Sequence, residues 1–269
     1  MRSHYQVNCR SQHDHQSPLS STMEAAVERL VQKAWDLHLP LPPSQRLLIS
    51  IAGIPGSGKT TLAAQIVQHL NACYAETSPG IAQTTRLAAF VPMDGYHLSR
   101  AQLAALPDAA TAFARRGAAF TFDAPAFLRL VKELRKPIAP EMTTVWAPSF
   151  DHRVKDPVAD DIPIRPDVRI VVFEGAYLAL DKDPWNEAAG LMDEIWFVRV
   201  DEEVAGERLV RRHLASGICK DKEEARRRVE QNDLVNGREI ITKHVRFDEI
   251  IDSVEDPAWS PEAQGVGSK

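Results

Sequence analysis

The sequence is short of several things, and each shortage excludes a class of protein. It has 3 cysteines in 269 residues. Cys9, Cys73 and Cys219 are odd in number, far apart and in no metal-ligand spacing, so neither a disulfide framework nor a thiolate metal site is expected; reduced thiols in a cytoplasmic protein are. No apolar run approaches the roughly 20 residues that a membrane-spanning helix needs, and no membrane partner is expected. Positive charge is not in excess either. Lys and Arg number 32 against 37 Asp and Glu, a formal net charge of −5, which argues against broad attraction to nucleic acid while leaving room for one small anion in a locally positive cleft.

What is present is a soluble globular composition, 44% hydrophobic and 26% charged, with one dominant stretch. Gly53-Ile54-Pro55-Gly56-Ser57-Gly58-Lys59-Thr60 satisfies every fixed position of the phosphate-binding pattern G-x-x-x-x-G-K-[ST]. Before it runs Leu47-Leu48-Ile49-Ser50-Ile51-Ala52, apolar enough for a buried strand. After it, Thr61 opens a stretch to Val67 with apolar residues at helical spacing. Strand, loop and helix in that order put successive backbone N–H groups and the positive end of a helix around one anion. Lys59 is expected on the β- and γ-phosphates of a nucleotide, with the Thr60 hydroxyl as a magnesium ligand.

Residues 1–21 are polar and read as a disordered tail, with a faint resemblance to a transit peptide. Residues 22–39 carry Met23, Val27, Leu30, Val31, Ala34 and Trp35 at helical spacing behind Ser21 or Thr22 as cap. A second strand is expected over Leu87–Met93, ending in Asp94-Gly95-Tyr96-His97, and a third over Val168–Phe173, ending in Glu174-Gly175. In an open parallel sheet the carboxyl ends of the strands face the ligand crevice, so Asp94 and Glu174 should stand near the phosphates. Further strands are expected at 193–200 and 247–251, with residues 254–269 as a polar tail. The stretch from Thr143 to His152 reads as an extended segment followed by a loop. Between them, the helix after Asp201 sets Arg208, Arg211 and Arg212 on one face. Glu223 and Glu224 lie four residues before Arg227 and Arg228, so paired charges along a helix account for Arg226-Arg227-Arg228 better than nucleic acid does.

Several of these stretches resemble one family in the same order. Met93-Asp94-Gly95-Tyr96-His97-Leu98, then Arg115-Arg116-Gly117 through Thr121-Phe122-Asp123, then Phe150-Asp151-His152, and last the V-x-x-E-G-like run ending at Glu174-Gly175 are similar to the uridine kinase, phosphoribulokinase and type I pantothenate kinase group. The resemblance implies that Asp94 is the base for the acceptor hydroxyl, that Glu174 orients magnesium, and that an arginine-bearing lid, about 208–232, closes over the phosphates. It implies an acceptor pocket with Tyr96, His97, Phe150 and His152. Asn232 to Gly237 resembles a turn that in some of these kinases approaches the adenine.

The expectation is therefore an α/β parallel-sheet phosphate-loop protein of the mononucleotide-kinase kind, helices on both faces, its domain spanning 22–253. ATP and Mg2+ are the expected cofactors. Gly53, Ile54, Pro55, Gly56, Ser57, Gly58, Lys59, Thr60 and Thr61, with Arg208 and Arg211, are expected on the nucleotide. Asp94, Lys59 and Arg212 are expected to carry the chemistry, and Thr60 and Glu174 the metal. The acceptor is expected to be a small-molecule alcohol and the protein a monomer or homodimer in the cytoplasm. The rival reading is a nucleotide-dependent switch acting on a protein partner; the absence of an N-K-x-D guanine-reading motif weakens its GTPase version.

Overall fold

A computed structural model describes residues 22–77, 85–255 and 259. The tail expected at 1–21 lies outside these residues. In chain order the elements are α1 Met23–His38, β1 Leu47–Gly53, α2 Lys59–Thr77, β2 Ala88–Pro92, a 3-10 turn Met93–Tyr96, α3 Arg100–Ala104, α4 Ala109–Ala114 and α5 Ala124–Arg135. There follow β3 Val145–Asp151, β4 Asp156–Ile164, β5 Ile170–Glu174, α6 Trp185–Ala189 and β6 Glu194–Arg199. The last elements are α7 Glu202–Ala215, α8 Lys222–Arg228, a π-helical segment Val229–Asp233, α9 Leu234–Thr242 and β7 Glu249–Asp252.

Five strands form one sheet in the order β2-β5-β1-β6-β7, every neighbouring pair parallel. Both faces are covered, and the side-chain alternation along each strand sorts residues between them. Leu47, Ile49 and Ile51 of β1, with Ile170 and Val172 of β5 and Trp196 and Val198 of β6, pack under α1 and α2. Leu48 and Ala52, Val171 and Phe173, and Ile195 and Phe197 pack on the opposite side, with Phe127, Val131 and Leu134 of α5. Because no face meets water, these strands read as continuous apolar runs. Thr22 caps α1, Asp123 caps α5 and Asp201 caps α7, each through a side-chain oxygen accepting a backbone N–H.

Two expectations need correction. The stretch read as an extended segment and loop is the first arm of an antiparallel hairpin, β3 with β4. Its second arm was missed because β4 is largely exposed along 158–161 and interrupted by Pro157 and Pro163, and so shows no apolar period. The C-terminal tail is not simply polar where it is described: Val254 and Trp259 pack against the α1–α2 face of the sheet.

Candidate active site

The site is built at the carboxyl ends of β1, β2 and β5. Strand register sets Glu174 level with Ile51 on one side and Pro92 on the other. Asp94 is therefore the second residue of the turn just past β2, and Lys59 begins the helix that follows the loop after β1. The chain can turn this tightly because Gly56 and Gly58 adopt φ of 82° and 88°, a region that side chains rarely enter. A Cβ on Gly56 would also stand 2.7 Å from the Ala205 carbonyl oxygen of α7. The Asp94 turn is held as closely: a Cβ on Gly95 would stand 2.1 Å from the Pro148 carbonyl oxygen, and one on Gly175 2.3 Å from the Met93 Cβ.

Lys59 Nζ lies 3.4 Å from the Ile54 carbonyl oxygen and 3.8 Å from Glu174 Oε1. Burial pushes the Lys59 ammonium down from its ordinary value, while Glu174 and Asp94 pull it back up and Arg212 opposes them. Glu174 is pushed up to about 7, first by burial and further by Asp94, against the opposing pull of Lys59, a Thr60 hydroxyl hydrogen bond and Arg212. Lys59 and Glu174 are thus buried at the floor of one crevice, with Thr60, the half-exposed Asp94 and the exposed Arg212 close enough to act on them. Ser57 and Thr61 are buried beneath it, and Ile54 faces α9, where a Cβ on Gly237 would come within 3.3 Å of its own.

The three arginines of α7 separate. Only Arg212, of the three, reaches Lys59 and Glu174 with its charge. Arg208 donates to the Gly56 carbonyl at 3.2 Å, the Ser253 hydroxyl at 2.9 Å and the Val254 carbonyl at 3.2 Å, fastening the phosphate loop to the segment after β7. Arg211 is exposed and faces Glu255 at 3.4 Å. A shared helical face did not imply a shared ligand, because the chain after β7 supplies its own acceptors to that face.

Beside Asp94, His97 Nε2 stands 3.8 Å from the Asp94 carboxylate, and the imidazole stacks on Phe122 at 3.9 Å between centroids. Burial, opposed by Asp94 and reinforced by Arg116, lowers His97 to about 4, so its ring is neutral at pH 7. Phe150 lies 5.0 Å from His97 and 5.1 Å from His152. Tyr96 does not join them. It is 5% exposed and packs edge-on against Phe127 in the core, so its expected place in the acceptor pocket is corrected.

Arg116, by contrast, belongs with these residues. Its guanidinium lies 5.6 Å over the Phe150 ring and donates to the Leu98 carbonyl and to Asp156, while its Nε is buried with no partner among the described residues. The motif containing it was visible in the sequence; the hairpin that brings Phe150 and Asp156 to it was not. The stretch from Asn232 to Gly237, expected as a turn, is helical. Asn232 and Asn236 lie on the π segment and α9, buried, with their amide oxygens accepting from Arg115.

A phosphate loop followed by carboxylates at two neighbouring strand ends narrows the possibilities, and comparison with known proteins decides among them. The model of the phosphoribulokinase / uridine kinase family matches residues 48–218. The chain belongs to this family. An ATP-dependent kinase-like protein of Aspergillus versicolor is 52% identical over 159 residues, covering 59% of this chain and 92% of that protein. A Schizosaccharomyces pombe protein provisionally named a uridine kinase is 40% identical over 212 residues, 79% of this chain and 84% of its own. A crystal structure from Silicibacter sp. TM1040, provisionally described as a fructose transport system kinase, superposes with a TM-score of 0.68 at 29% identity, covering 85% of this chain and 98% of that one. As a member of the phosphoribulokinase / uridine kinase family, the chain is an ATP-dependent kinase of small metabolites. Among the described residues, no helix is long and apolar enough to cross a membrane.

Proposed function

We propose that this kinase moves the γ-phosphoryl group of ATP to a hydroxyl of a small metabolite, with Asp94 as the base that takes the hydroxyl proton. The observation that carries the reading is the convergence of Lys59, Thr60, Asp94, Glu174 and Arg212 on one crevice at the carboxyl ends of β1, β2 and β5. On ATP binding, Lys59 exchanges the Ile54 carbonyl and Glu174 for phosphate oxygens, and the positive end of α2, which begins at Lys59, favours the same anion. Asp94 is half-exposed, which leaves it open to an incoming alcohol. Arg212 adds positive charge where charge spreads over the transferring group.

A divalent cation suits the donors at this place. Thr60 and Glu174 supply hard oxygens, and a carboxylate pushed up to about 7 by burial gains most from a cation beside it. Among the described residues no group of three or more His, Cys, Asp or Glu side chains could hold a metal alone. The remaining ligands would then be phosphate oxygens and water, the pattern that Mg2+ prefers. When bound, Mg2+ neutralises phosphate charge, and the residues of this chain orient around it.

The acceptor pocket beside Asp94 has His97, Phe150, His152 and Arg116 on its walls, an apolar ring face with polar groups at its rim. Neutral His97 can both donate and accept a hydrogen bond, which suits a polyhydroxylated or ring-bearing alcohol. A cytoplasmic site of action belongs to the same reading, with Cys219 a buried thiol outside any disulfide. Asp94→Asn should lower phosphotransfer about 10²- to 10⁴-fold with ATP affinity retained. An Asp94→Asn protein that phosphorylates its acceptor at the wild-type rate would remove Asp94 as the base.

A further inference from the structure

A second cleft, of about 320 Å3, lies between the end of α4 and the junction of α8 with the π segment. Arg115, Glu224, Arg227, Arg228, Gln231 and Asn232 line it, and none of the residues of the ATP crevice does. Three guanidinium groups therefore border a space that holds one carboxylate.

The local pairing leaves this charge unbalanced. Arg227 is taken by Glu223, 2.8 Å away across one helical turn. Glu224, expected to serve Arg228 in the same way, instead accepts the Lys220 backbone N–H at 2.8 Å. Arg228 has no hydrogen-bond or ion-pair partner among the described residues, and its Nε is enclosed without an acceptor. Arg115 bonds neutral amide oxygens, those of Asn232 at 3.0 Å and Asn236 at 2.7 Å. Asn232 and Asn236 hold the Arg115 guanidinium in place without neutralising it.

We propose that this cleft binds the phosphate or diphosphate group of a small metabolite, at a site separate from that of the ATP phosphates. Guanidinium forks match phosphate oxygens in pairs, and two of them without carboxylate partners supply the charge such a group needs. The volume is at the lower end of ligand pockets, so a small phosphorylated compound fits better than a nucleotide. The π segment is what turns Asn232 inward, and extra-residue bulges of this kind gather at functional sites. The site is one peptide bond from the acceptor pocket: Asn232 accepts from Arg115 and donates to the Arg116 carbonyl at 3.1 Å.

The test is a calorimetric titration with inorganic pyrophosphate, without magnesium. The wild-type protein should show two sites, of which Lys59→Ala removes the one at the phosphate loop and leaves the other. Adding Arg228→Gln to Lys59→Ala should weaken the remaining site at least tenfold. Adding Arg228→Lys instead should weaken it by a smaller factor, since charge is kept and the fork is lost. Unchanged melting temperatures establish that these variants fold, and Arg228→Lys supplies the comparison should Arg228→Gln not fold. Loss of all pyrophosphate binding in Lys59→Ala, or residual binding that is indifferent to the residue at 228, overturns the proposal.

Discussion

Gly95 offers the sharpest check on how the active site is positioned. A Cβ there would stand 2.1 Å from the Pro148 oxygen and 2.6 Å from the Pro148 carbonyl carbon. Those are backbone atoms of β3 and cannot rotate aside, so restoring a 3.0 Å contact requires the Asp94 turn and the hairpin to part by about 1 Å. Overpacking of this kind costs about 1–3 kcal/mol, and a displacement of about 1 Å at a reacting group costs about 10²-fold in rate. Gly95→Ala should therefore melt lower and transfer phosphoryl about 10²-fold more slowly, with ATP affinity kept within about twofold of wild type because the phosphate loop is untouched. Gly56→Ala should do the reverse. Its φ of 82° and the 2.7 Å approach to Ala205 place the strain on the loop itself, so ATP affinity should fall first. Gly217, at φ 65° with nothing within 4 Å of a Cβ, is the control: Ala there meets only the backbone penalty and should leave both functions intact. Melting curves, nucleotide titration and acceptor phosphorylation on the three variants separate these outcomes. A Gly95→Ala protein with wild-type turnover would refute the close packing of the hairpin on the Asp94 turn.

Other expectations follow from the same geometry. Lys59→Ala should weaken ATP binding by about 10- to 100-fold, measured by titration; unchanged affinity in a folded variant would count against the whole crevice. Thr60→Ala should raise the Mg2+ concentration for half-maximal activity about tenfold, and chelation of the metal should abolish turnover of the wild type. Burial and the Arg169 charge lower His38 to about 4, and His97 is lowered to a similar value, both below the ordinary 6.5. Between those values the unfolded chain binds protons that the folded chain does not. Stability is accordingly full above about pH 6.5 and declines as pH falls towards 4, by about 1–2 kcal/mol per histidine at pH 5. His38→Phe should remove about half of that slope in urea titrations at pH 7 and pH 5, and an unaltered slope would show that His38 is not held neutral.

Much of this protein can be read from the order of its residues alone. The features the phosphate loop needs are all local in the chain: glycines that permit positive φ, a lysine and a hydroxyl at the start of a helix, and an apolar strand before it. The strands of a doubly covered parallel sheet are continuous apolar runs, and their ends place Asp94 and Glu174 without knowledge of the fold's details. Caps such as Asp123 and Asp201 are equally local. Tertiary structure alone decided which side chains of an identified segment face the chemistry. Tyr96 turned into the core against Phe127, Arg208 came to bridge the phosphate loop and the chain after β7, and Arg211 came to face Glu255. Arg116 came to stand over Phe150 because the β3–β4 hairpin delivers Phe150 and Asp156 to it, and Arg228 lost its expected partner because Glu224 serves a backbone N–H. The physical reason is common to these cases: a motif specifies backbone geometry and residue type over a few positions, whereas the direction of a long side chain is set by competing acceptors and apolar surfaces brought from far along the chain.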